Sequence, residues 1–513
     1  MKLRPYQEQA VNSVFKSWEE FDKTLLILPT GTGKTVCFAK VAERALENGG
    51  KALVLAHREE LLTQARDKIL TATGLTCAFE KGDATSLGTS DPITCASVQT
   101  LMRDSRLRRF APSHYGTIIV DEAHHALSES YQNILKYFNK AKVLGVTATP
   151  DRGDKQSLGK FFEDIAYEYS IRDAVNEGYL SKIMIKTMPL KISLEGVKTT
   201  AGDFSVDDLG SAIDPYLEEI AKLIPRDRKT LIFLPLISTS ERMTGFLKML
   251  GFKAEHIDGN SPDRKEILER FHTGETTVLY NSMLLTEGYD EPTIDCIVCL
   301  RPTKIRSLYA QIIGRGTRIC DTKENLLVLD FLWQSEQHDL CHPASLIADK
   351  PDVAAKMTEI SQSGEVFELG ELQEQAESKA REDRENSLAS ALKANVNKKS
   401  KLIDPMEYAL FVHDDEVQSY VPTFKWQREA PTEKQLATLS RMKFNPETIK
   451  DRGYASALLS SVIRRTSRHL ATPSQIKILR RFGYKNAGEY SFEFASKLIN
   501  DLAQNGWRRK YGN

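Results

Sequence analysis

Long apolar runs and cysteine are scarce in this chain, and its net charge is zero. No apolar run approaches the roughly 18 residues of a membrane-spanning helix, and the first residues, MKLRPYQ, lack the core of a secretory signal. Seven cysteines in 513 residues do not resemble a disulfide framework. Lys+Arg and Asp+Glu both total 70, so only local patches of charge can indicate a partner. We expect about three domains, a cytoplasmic location and no membrane contact.

The stretch between Thr24 and Thr35, which reads TLLILPTGTGKT, combines a strand, a glycine-bearing turn and the start of a helix. Residues 25–28 are typical of a strand buried on both faces, and residues 36–46 have a helical pattern. Glycines let backbone N–H groups close on a phosphate, and the helix N-terminus adds about half a positive charge. The residues of this candidate phosphate loop are Thr30, Gly31, Thr32, Gly33, Lys34 and Thr35.

Within this phosphate loop, Lys34 can reach the β- and γ-phosphates of a nucleotide, and the Thr35 hydroxyl is placed to bind Mg²⁺. One position departs from the strict pattern, since Leu28 stands where that pattern has a glycine. On this stretch alone, an ordinary strand, turn and helix is the alternative interpretation. The loop predicts an ATP site only if the residues that hydrolysis needs follow in the chain.

Two adjacent carboxylates, Asp121 and Glu122, follow an apolar strand predicted at residues 115–120. Burying carboxylates at the tip of such a strand is costly unless they act there. In a sheet with a phosphate loop, the first carboxylate can hold Mg²⁺ and the second can orient and deprotonate the attacking water. The sequence therefore predicts ATP and Mg²⁺ as cofactors, with Thr35 and Asp121 as metal ligands and Glu122 as catalytic base.

Polar residues also end two other predicted strands of this sheet. His57 and Arg58 follow the apolar run at residues 51–56, and Ser97 and Gln99 lie in the run TCASVQTL. Open α/β sheets place binding sites at the carboxyl ends of their strands, and hydroxyl and amide groups suit contacts to phosphate or sugar. These four residues are candidates for nucleic-acid contact, although helix caps would explain them equally well.

A second alternation of strands and helices begins near residue 230. Apolar runs at 230–234, 254–257 and 278–280 alternate with helical patterns at 238–250 and 263–272. Such alternation implies a parallel sheet that helices cover on both faces. The expected fold class is therefore α/β, with two parallel-sheet domains in tandem, a charged linker and a small helical C-terminal region.

Two cysteine-containing clusters invite a zinc assignment that the sequence does not favour. Cys296 and Cys299 form a CxxC, but they lie in a predicted strand, where residues three apart point to opposite faces. His338, Cys341 and His342 have no partner cysteine farther along the chain. We therefore predict no zinc site at either place.

Seven short motifs, taken in order, resemble those of superfamily 2 helicases. PTGTGKT, DEAH and TATP resemble motifs of the first motor domain, and LRPYQ and VLAHREEL resemble its adenine-reading motif and motif Ia. LTEGYD and QIIGRGTR resemble motifs V and VI. The resemblance covers roughly residues 1–335 and is to the group that holds RadD, XPB and type I restriction motor subunits. It implies two RecA-like domains with ATP in the cleft between them.

The resemblance also implies roles for individual residues. Outside the phosphate loop, the implied nucleotide-binding residues are Arg4, Gln7, Gly288 and Asp290. Thr286 is an additional implied contact to nucleic acid. Besides Glu122, the implied catalytic residues are Gln311, Arg315 and Arg318. A Gln7 amide can both donate to and accept from adenine, although a helix-start glutamine is the plainer interpretation. Arg315 and Arg318 share a helical face, so both can enter one cleft and neutralise the charge of the γ-phosphate. Such neutralisation raises the rate of hydrolysis by a factor of about 10³–10⁵.

The function that the resemblance implies is ATP hydrolysis coupled to movement on single-stranded, duplex or branched DNA, in repair, recombination, replication or phage-related DNA metabolism. RNA is the nearest alternative substrate. DEAD-box RNA helicases carry DEAD, SAT and HRIGRTGR where this chain has DEAH, TATP and QIIGRGTR, which favours DNA. Another alternative is an ATPase switch that nucleic acid gates and that recruits partners without translocating.

The pattern divides the chain into five predicted parts. These are a first RecA-like domain at 1–170, a connector at 171–220, a second RecA-like domain at 221–345, a charged linker at 346–420 and a helical tail at 421–513. The linker prediction depends on residues 358–385, which hold nine acids and three bases without a sustained apolar stripe. Such a segment is expected to be a solvated helix or a flexible linker.

The tail contains an internal repeat at a shift of 40 residues. TEKQL at 432–436 aligns with TPSQI at 472–476, so each copy opens with a Thr-x-x-Gln capping box. Residues 432–513 hold sixteen Lys and Arg against six Asp and Glu. The basic cluster is Arg464, Arg465, Arg468, Arg480, Arg481, Arg508, Arg509 and Lys510, beside Trp507 and Tyr511. We expect the tail to bind DNA, with protein docking through the repeats as the alternative.

Overall fold

The computed structural model describes residues 2–47, 49–148, 157–200, 203–281, 285, 289–334, 340–348, 350–394, 402–418, 420–424 and 426–507. The chain forms two compact units, Met1–Leu388 and Ala389–Asn513. Two seven-stranded sheets lie in the first unit, and helices dominate the second. The predicted α/β fold class, with two sheet domains and a helical C-terminal region, is therefore confirmed.

The first sheet contains seven parallel strands in the order β3-β4-β2-β5-β6-β1-β7. The strands are β1 (Lys23–Ile27), β2 (Lys51–Ala56), β3 (Cys77–Glu80), β4 (Ile93–Ser97), β5 (Tyr115–Asp121), β6 (Lys142–Thr147) and β7 (Asp164–Glu168). Its helices are Pro5–Ser17, Lys34–Leu46, Glu59–Thr73, Val98–Leu101, Asp104–Leu107 and Glu129–Tyr137. Leu25 packs in one core and Leu26 in the other, because successive strand residues point to opposite faces.

The parallel pairing brings the polar strand ends of this sheet to one edge. β2 pairs with both β4 and β5, and β6 lies between β5 and β1. All of these strands run in the same direction, so the residues after β1, β2, β4 and β5 emerge side by side. The phosphate loop, His57, Ser97 and Asp121 therefore share the edge at which the sequence predicts binding.

The second sheet has the order β12-β13-β11-β14-β15-β8-β16, parallel except for the β16–β8 pair. Its strands are β8 (Ile183–Ser193), β11 (Thr230–Phe233), β12 (Ala254–Ile257), β13 (Val278–Asn281), β14 (Cys296–Cys299), β15 (Leu326–Gln334) and β16 (Val366–Glu368), and β9 (Thr199–Thr200) and β10 (Asp203–Phe204) form a separate pair. Its helices are Ile171–Asn176, Val206–Ile213, Leu217–Leu223, Ile237–Met249, Arg264–Thr273, Arg306–Gly314 and Pro351–Ser361. Treating 171–220 as a connector is wrong, because β8 lies inside the sheet beside β15.

The predicted charged linker at 346–420 is also wrong over its first part. Residues 366–368 form β16, and the helix Leu369–Ala394 packs onto the core of the second domain. The buried positions of this helix are Leu369, Leu372, Ala376 and Ala380, each at most 2% exposed. Alanines complete this stripe, and a stripe of two leucines and two alanines among many acids has too little apolar character to be read from the sequence.

The two cysteines of the CxxC lie on opposite faces of β14, as the strand period predicts. Cys296 packs in the core on one face and Cys299 in the core on the other. Burial raises the pKa of both thiols to about 12.

In the second cysteine-containing cluster, His342 contacts Asp330, with 3.3 Å between Nδ1 and Oδ2, and His338 lies outside the described residues. In the described ranges, no helix has the length and apolar character that crossing a membrane requires.

The C-terminal unit contains two structurally matching pairs of helices. Its helices are Pro405–Phe411, Asp415–Gln418, Glu433–Arg441, Arg452–Ser467, Pro473–Arg481 and Phe492–Gln504, so the last two pairs begin 40 residues apart. Gln435 Nε2 donates to Ser456 Oγ at 2.8 Å, and Gln475 Nε2 donates to Ser496 Oγ at the same distance. Each copy also has the capping box that the sequence predicts. The two segments therefore repeat each other in side-chain contacts as well as in sequence.

Candidate active site

The phosphate loop joins the end of β1 to the helix Lys34–Leu46. Gly31 and Gly33 have φ angles of 90° and 84°, in the left-handed region that a Cβ disfavours. A Cβ on Gly33 would also lie 2.7 Å from Nε2 of Gln7. Leu28, where the strict pattern has a glycine, is fully buried in the core of the sheet. The loop therefore takes its shape from the two glycines that are present.

Residues of the first helix donate hydrogen bonds to this loop. Gln7 Nε2 donates to the carbonyl oxygen of Thr32 at 3.0 Å, and the Tyr6 hydroxyl donates to the same oxygen at 2.5 Å. The backbone N–H of Arg4 donates to Gln7 Oε1 at 3.0 Å. Both ends of the Gln7 amide are thus engaged within the protein, and recognition of adenine by Gln7 stays a prediction.

Three tyrosines beside the first helix were not predicted from the sequence. The Tyr6 ring stacks on Tyr169 at 4.4 Å between centroids and meets the edge of Tyr179 at 4.8 Å. The guanidinium of Arg4 lies 5.1 Å from the centroid of Tyr179. Tyr169 and Tyr179 are more than 160 residues away from Tyr6 in the chain, so no local pattern could reveal this cluster.

The two carboxylates follow β5 as predicted. Lys34 Nζ lies 3.5 Å from Glu122 Oε1, and the backbone N–H of Glu122 donates to Asp121 Oδ1 at 3.0 Å. Glu122 has φ 52° and ψ 67°, a left-handed conformation that is uncommon for a residue with a Cβ. Burial by itself raises the pKa of the Glu122 carboxyl, but the Lys34 ammonium and His124 outweigh burial and lower it. Glu122 is therefore ionised at neutral pH.

Residues of both sheet domains line one cleft of about 430 Å³. Its predicted lining residues are Thr30, Gly31, Gly33, Lys34, Thr35, Asp121, Glu122, Asp290, Arg315 and Arg318. Leu61, Gln64, Ala65 and Lys68 also line it, from a helix in which the sequence predicted no site residue. Arg4, Gln7, Thr32 and Gln311 lie outside this lining, although Thr32 and Gln311 are buried nearby in the loop and in the helix Arg306–Gly314.

Arg315 and Arg318, the arginines predicted to neutralise the γ-phosphate, both contact one backbone carbonyl. Arg315 Nη1 donates to the Tyr289 oxygen at 2.7 Å, and Arg318 Nη1 reaches the same oxygen at 3.4 Å. Arg318 also pairs with Asp290, with 2.8 Å between Nη1 and Oδ1. Lys68 of the first domain lies 4.0 Å from Asp290. Asp290 is therefore placed between a cation of each domain.

The second domain approaches the phosphate loop closely at Gly314. A Cβ at this position would lie 2.5 Å from Cβ of Thr30. Thr317 Oγ1 donates to the Thr30 carbonyl at 3.5 Å. Only a residue without a side chain fits at Gly314, which gives the second glycine-bearing motif a packing reason.

The candidate nucleic-acid contacts meet at the ends of β2 and β4. Gln99 Nε2 donates to the His57 carbonyl at 2.6 Å, and Ser97 Oγ donates to Gln99 Oε1 at 2.6 Å. The Arg58 side chain is exposed beside them. Thr286 and Gly288, like Thr149 and Pro150 of TATP, lie outside the described residues. Contact of these residues with nucleic acid stays a prediction.

The basic cluster of the tail is more engaged in the protein than its sequence suggests. Arg464 pairs with Asp414 at 3.3 Å and with Glu416 at 2.8 Å. Arg465 donates to the Gly488 carbonyl, and the Arg480 guanidinium lies 4.0 Å from the Phe411 ring centroid. Arg468 and Arg481 are exposed, as is Trp507. Arg508, Arg509, Lys510 and Tyr511 lie outside the described residues.

Two family models match the two sheet domains. Residues 1–152 match the family described as "Type III restriction enzyme, res subunit", and residues 215–320 match "Helicase conserved C-terminal domain". Both α/β domains are thus similar to helicase domains, and the motifs that resemble superfamily 2 lie within the two sheet domains. The resemblance that the motifs suggested is therefore confirmed for the motor part of the chain, and the helicase family implies an enzyme that hydrolyses ATP.

Individual relatives of this chain are named as helicases or translocases. IRC3 of Saccharomyces cerevisiae, whose name describes an ATP-dependent helicase, is 32% identical over 380 residues, which are 68% of this chain and 54% of IRC3. The DNA 3'-5' translocase XPB2 of Sulfurisphaera tokodaii is 24% identical over 375 residues, 64% of this chain and 81% of that protein. The chain thus spans about half the length of IRC3.

One solved structure with a similar fold is a fragment assigned to the HsdR subunit of a type I restriction enzyme from Vibrio vulnificus YJ016. It is 25% identical, has a TM-score of 0.51, and the match covers 64% of each chain. The match therefore supports the same resemblance as the sequence relatives.

Proposed function

We propose that this helicase hydrolyses ATP and couples the hydrolysis to movement along DNA. The observation that carries the proposal is the single cleft lined by Lys34, Glu122 and Arg318, because a phosphate-binding lysine, a buried carboxylate and an arginine are the groups that phosphoryl transfer needs. The substrate is inferred from relatives, since XPB2 is named a DNA translocase. The seven cysteines form no disulfide in the described part of the chain, which suits a reducing compartment such as the cytoplasm.

The residues of the cleft fit a nucleotide with Mg²⁺. Thr35 and Asp121 line the same cleft and present a hydroxyl and a carboxylate, and Mg²⁺ prefers such oxygen ligands. When bound, Mg²⁺ would neutralise charge on the β- and γ-phosphates. The phosphate loop supplies backbone N–H groups at the start of a helix, a favourable site for an anion. Thr35 and Asp121 are therefore the proposed metal ligands.

The side chains of the cleft would have separate roles in hydrolysis. Lys34, which lies 3.5 Å from Glu122 in this structure, would move onto the phosphates and leave the carboxylate free. Glu122 would orient the attacking water and accept its proton. Arg315 and Arg318, now on the Tyr289 carbonyl, would turn to the γ-phosphate and neutralise its developing charge. Each step exchanges a contact within the protein for a contact with ATP.

We extend the proposal to the C-terminal unit, which would hold DNA through exposed basic side chains. Arg468 and Arg481 are exposed, whereas Arg464 is paired with two carboxylates. A solvent-facing cation can exchange its counterions for phosphates, whereas Arg464, whose side chain is 51% exposed, already has two carboxylates as counterions and should contribute less. Docking of a protein partner is the alternative outcome for this unit.

The test is the ATPase rate of the full chain with single-stranded, duplex and forked DNA and with RNA of the same sequence. We expect DNA to raise kcat and the protein to displace a third strand from a triplex as it moves. Glu122→Gln is the control, since it should bind DNA without turnover. Stronger stimulation by RNA would contradict the DNA assignment, and stimulation without displacement of any strand would show an ATPase switch instead.

A further inference from the structure

Three histidine rings, tilted against one another, lie in a row of contacts beside the cleft, and we call this row the stack. The His57 and His125 centroids are 4.1 Å apart with their planes tilted by 52°, and those of His125 and His124 are 4.1 Å apart with a tilt of 43°. His57 follows β2, and the other two belong to the 3-10 helix Ala123–Leu127, directly after Glu122. Because β2 and β5 are neighbours in the sheet, the stack crosses from the end of one strand to the end of the next.

The stack ends at the catalytic carboxylate without closing a hydrogen bond to it. His124 Nδ1 lies 3.7 Å from Glu122 Oε2, and Lys34 Nζ lies 3.5 Å from the other oxygen. Good hydrogen bonds between nitrogen and oxygen span about 2.7–3.2 Å, so both contacts are long. Glu122 Oε2 and His124 Nδ1 are buried and have no hydrogen-bond partner among the described residues. A shift of under about 1 Å would therefore complete the bond to His124.

The backbone of Glu122 makes its position sensitive to neighbours. Its φ of 52° is not one that a residue with a side chain adopts when unconstrained. The contacts of the 3-10 helix that follows must hold it there. The ring of Tyr131 lies almost parallel to His125 at 6.2 Å and supports the stack from the outside. A movement of the stack would thus change the position of the Glu122 carboxylate.

The other end of the stack reaches the predicted nucleic-acid surface. The His57 carbonyl accepts the hydrogen bond from Gln99, and Arg58 is exposed next to it. The groups that face His125 are His57, His124, Glu122 and Arg58. Burial is the main cause that lowers the pKa of His125 to about 4, with smaller lowering effects from His124, His57 and Arg58, and Glu122 opposes them. The His125 ring is therefore neutral at neutral pH.

We propose that the stack His57–His125–His124 transmits nucleic-acid binding at the end of β2 to Glu122, with His125 as the positioning residue in the middle. Binding at His57 and Arg58 moves the rings toward the carboxylate, His124 Nδ1 donates to Glu122 Oε2, and Glu122 leaves Lys34. Lys34 is then released for the phosphates. The inference rests on the proposed function, since it needs an ATPase that nucleic acid stimulates.

The experiment compares His125→Ala with His125→Phe in the full chain. The phenylalanine keeps a ring between His57 and His124, and the alanine leaves a gap. We measure kcat without nucleic acid and with saturating single-stranded DNA, the KM for ATP, and the Kd for the same labelled DNA by fluorescence anisotropy. Leu127→Ala is the matched control, because Leu127 is an exposed residue of the same 3-10 helix.

We expect His125→Ala to lower the ratio of stimulated to basal kcat by about tenfold, within the range of measured couplings between sites. The Kd for DNA and the KM for ATP should change by less than about twofold, and His125→Phe should restore most of the ratio. A purely structural role would not move this ratio while leaving both binding constants in place. A wild-type ratio in His125→Ala overturns the inference.

A double-mutant cycle keeps the inference testable if His125→Ala does not fold. His57→Phe and His124→Phe keep rings in place but remove their nitrogens, and their effects on the ratio should be non-additive if one stack connects them. Additive effects would overturn the coupling. A wild-type protein that no nucleic acid stimulates would instead refute the proposed function, and the inference with it.

Discussion

Lys34 and Glu122 form an ion pair across the candidate ATP site, with 3.5 Å between Nζ and Oε1. The phosphate-binding cation and the candidate catalytic base thus neutralise each other in this structure. Both side chains are only 12–13% exposed, so each would otherwise be a poorly hydrated charge. In the proposed mechanism, binding of ATP separates them, since Lys34 cannot serve the carboxylate and the phosphates equally well.

The first prediction separates the roles of this pair. Lys34→Ala should abolish hydrolysis by removing a phosphate contact. Glu122→Gln should bind ATP with normal affinity and lower kcat by about 10²–10⁴, because the amide cannot accept the proton of the attacking water. The measurements are steady-state ATPase assays and binding of a fluorescent ATP analogue. Normal turnover in Glu122→Gln would remove Glu122 from the role of catalytic base.

The second prediction concerns the two arginines of the cleft. Arg315→Ala and Arg318→Ala should each lower kcat by about 10³ and weaken nucleotide binding much less, since their contacts to the γ-phosphate strengthen in the transition state. Lys323→Ala is the control for loss of a buried cation, because Lys323 donates to the Gly316 carbonyl and does not line the cleft. A loss of nucleotide affinity at unchanged kcat would show that neither arginine stabilises the transition state.

The third prediction is a pH dependence of stability from His342 and Asp330. Burial lowers the pKa of His342, but the hydrogen bond and charge of Asp330 outweigh burial and raise it. The pair therefore stabilises the native state fully below the unfolded pKa of about 6.5, and this stability is lost as the pH rises through the folded pKa. Asp330→Asn should lower Tm more at about pH 5.5 than at about pH 9.

The control for this pair is the same Asp330→Asn change in a His342→Asn background. There the drop in Tm should be equal at both pH values, because the imidazole whose charge changes over this pH range is absent. An equally large pH dependence in that background would assign the effect to other groups. The comparison uses thermal unfolding of the full chain.

The fourth prediction follows from the matched contacts of the repeats. Gln435→Ala and Gln475→Ala each remove the donor to a serine hydroxyl and the acceptor of a capping box. Each should lower the free energy of unfolding of the C-terminal unit by about 1–2 kcal/mol, measured by urea denaturation. Gln504→Ala, at an exposed helix end, is the control. Costs that differ by more than about 1 kcal/mol would contradict equivalent repeats.

The fifth prediction tests DNA binding by the C-terminal unit. Arg468→Ala and Arg481→Ala should each reduce the salt slope of DNA binding by about 1, because each removes one phosphate contact. Arg464→Ala should leave the slope unchanged, since its side chain is held by Asp414 and Glu416. The measurement is the Kd for duplex DNA over a range of salt concentrations. Unchanged slopes in all three variants would favour protein docking.

The motifs were readable from the sequence because their chemistry is local. The glycines of the loop, the carboxylates after β5 and the two arginines three apart each lie within a few residues, and the structure brings them to one cleft. The alternation of apolar runs and helical patterns likewise gave both sheets, since a buried parallel strand leaves a short apolar run. The repeat at a shift of 40 needed only the comparison of two segments.

The linker prediction is wrong because small apolar residues carry little information. Ala376 and Ala380 are buried against the second domain, but alanine favours every position of a helix, so its presence does not mark a buried face. The connector was misread for a related reason, since β8 joins a sheet whose neighbouring strand, β15, lies more than 130 residues away. No window of the sequence contains both strands.

The sequence by itself determined which groups the protein offers for the proposed binding and hydrolysis of ATP, because residue types and spacing fix the available chemistry. Only the tertiary structure decided which partner each group takes in this state. Lys34 faces Glu122, Gln7 holds the phosphate loop, and Arg318 pairs with Asp290. These contacts join residues far apart in the chain, and their strength depends on burial and on distances of a few tenths of an ångström, which only packing sets.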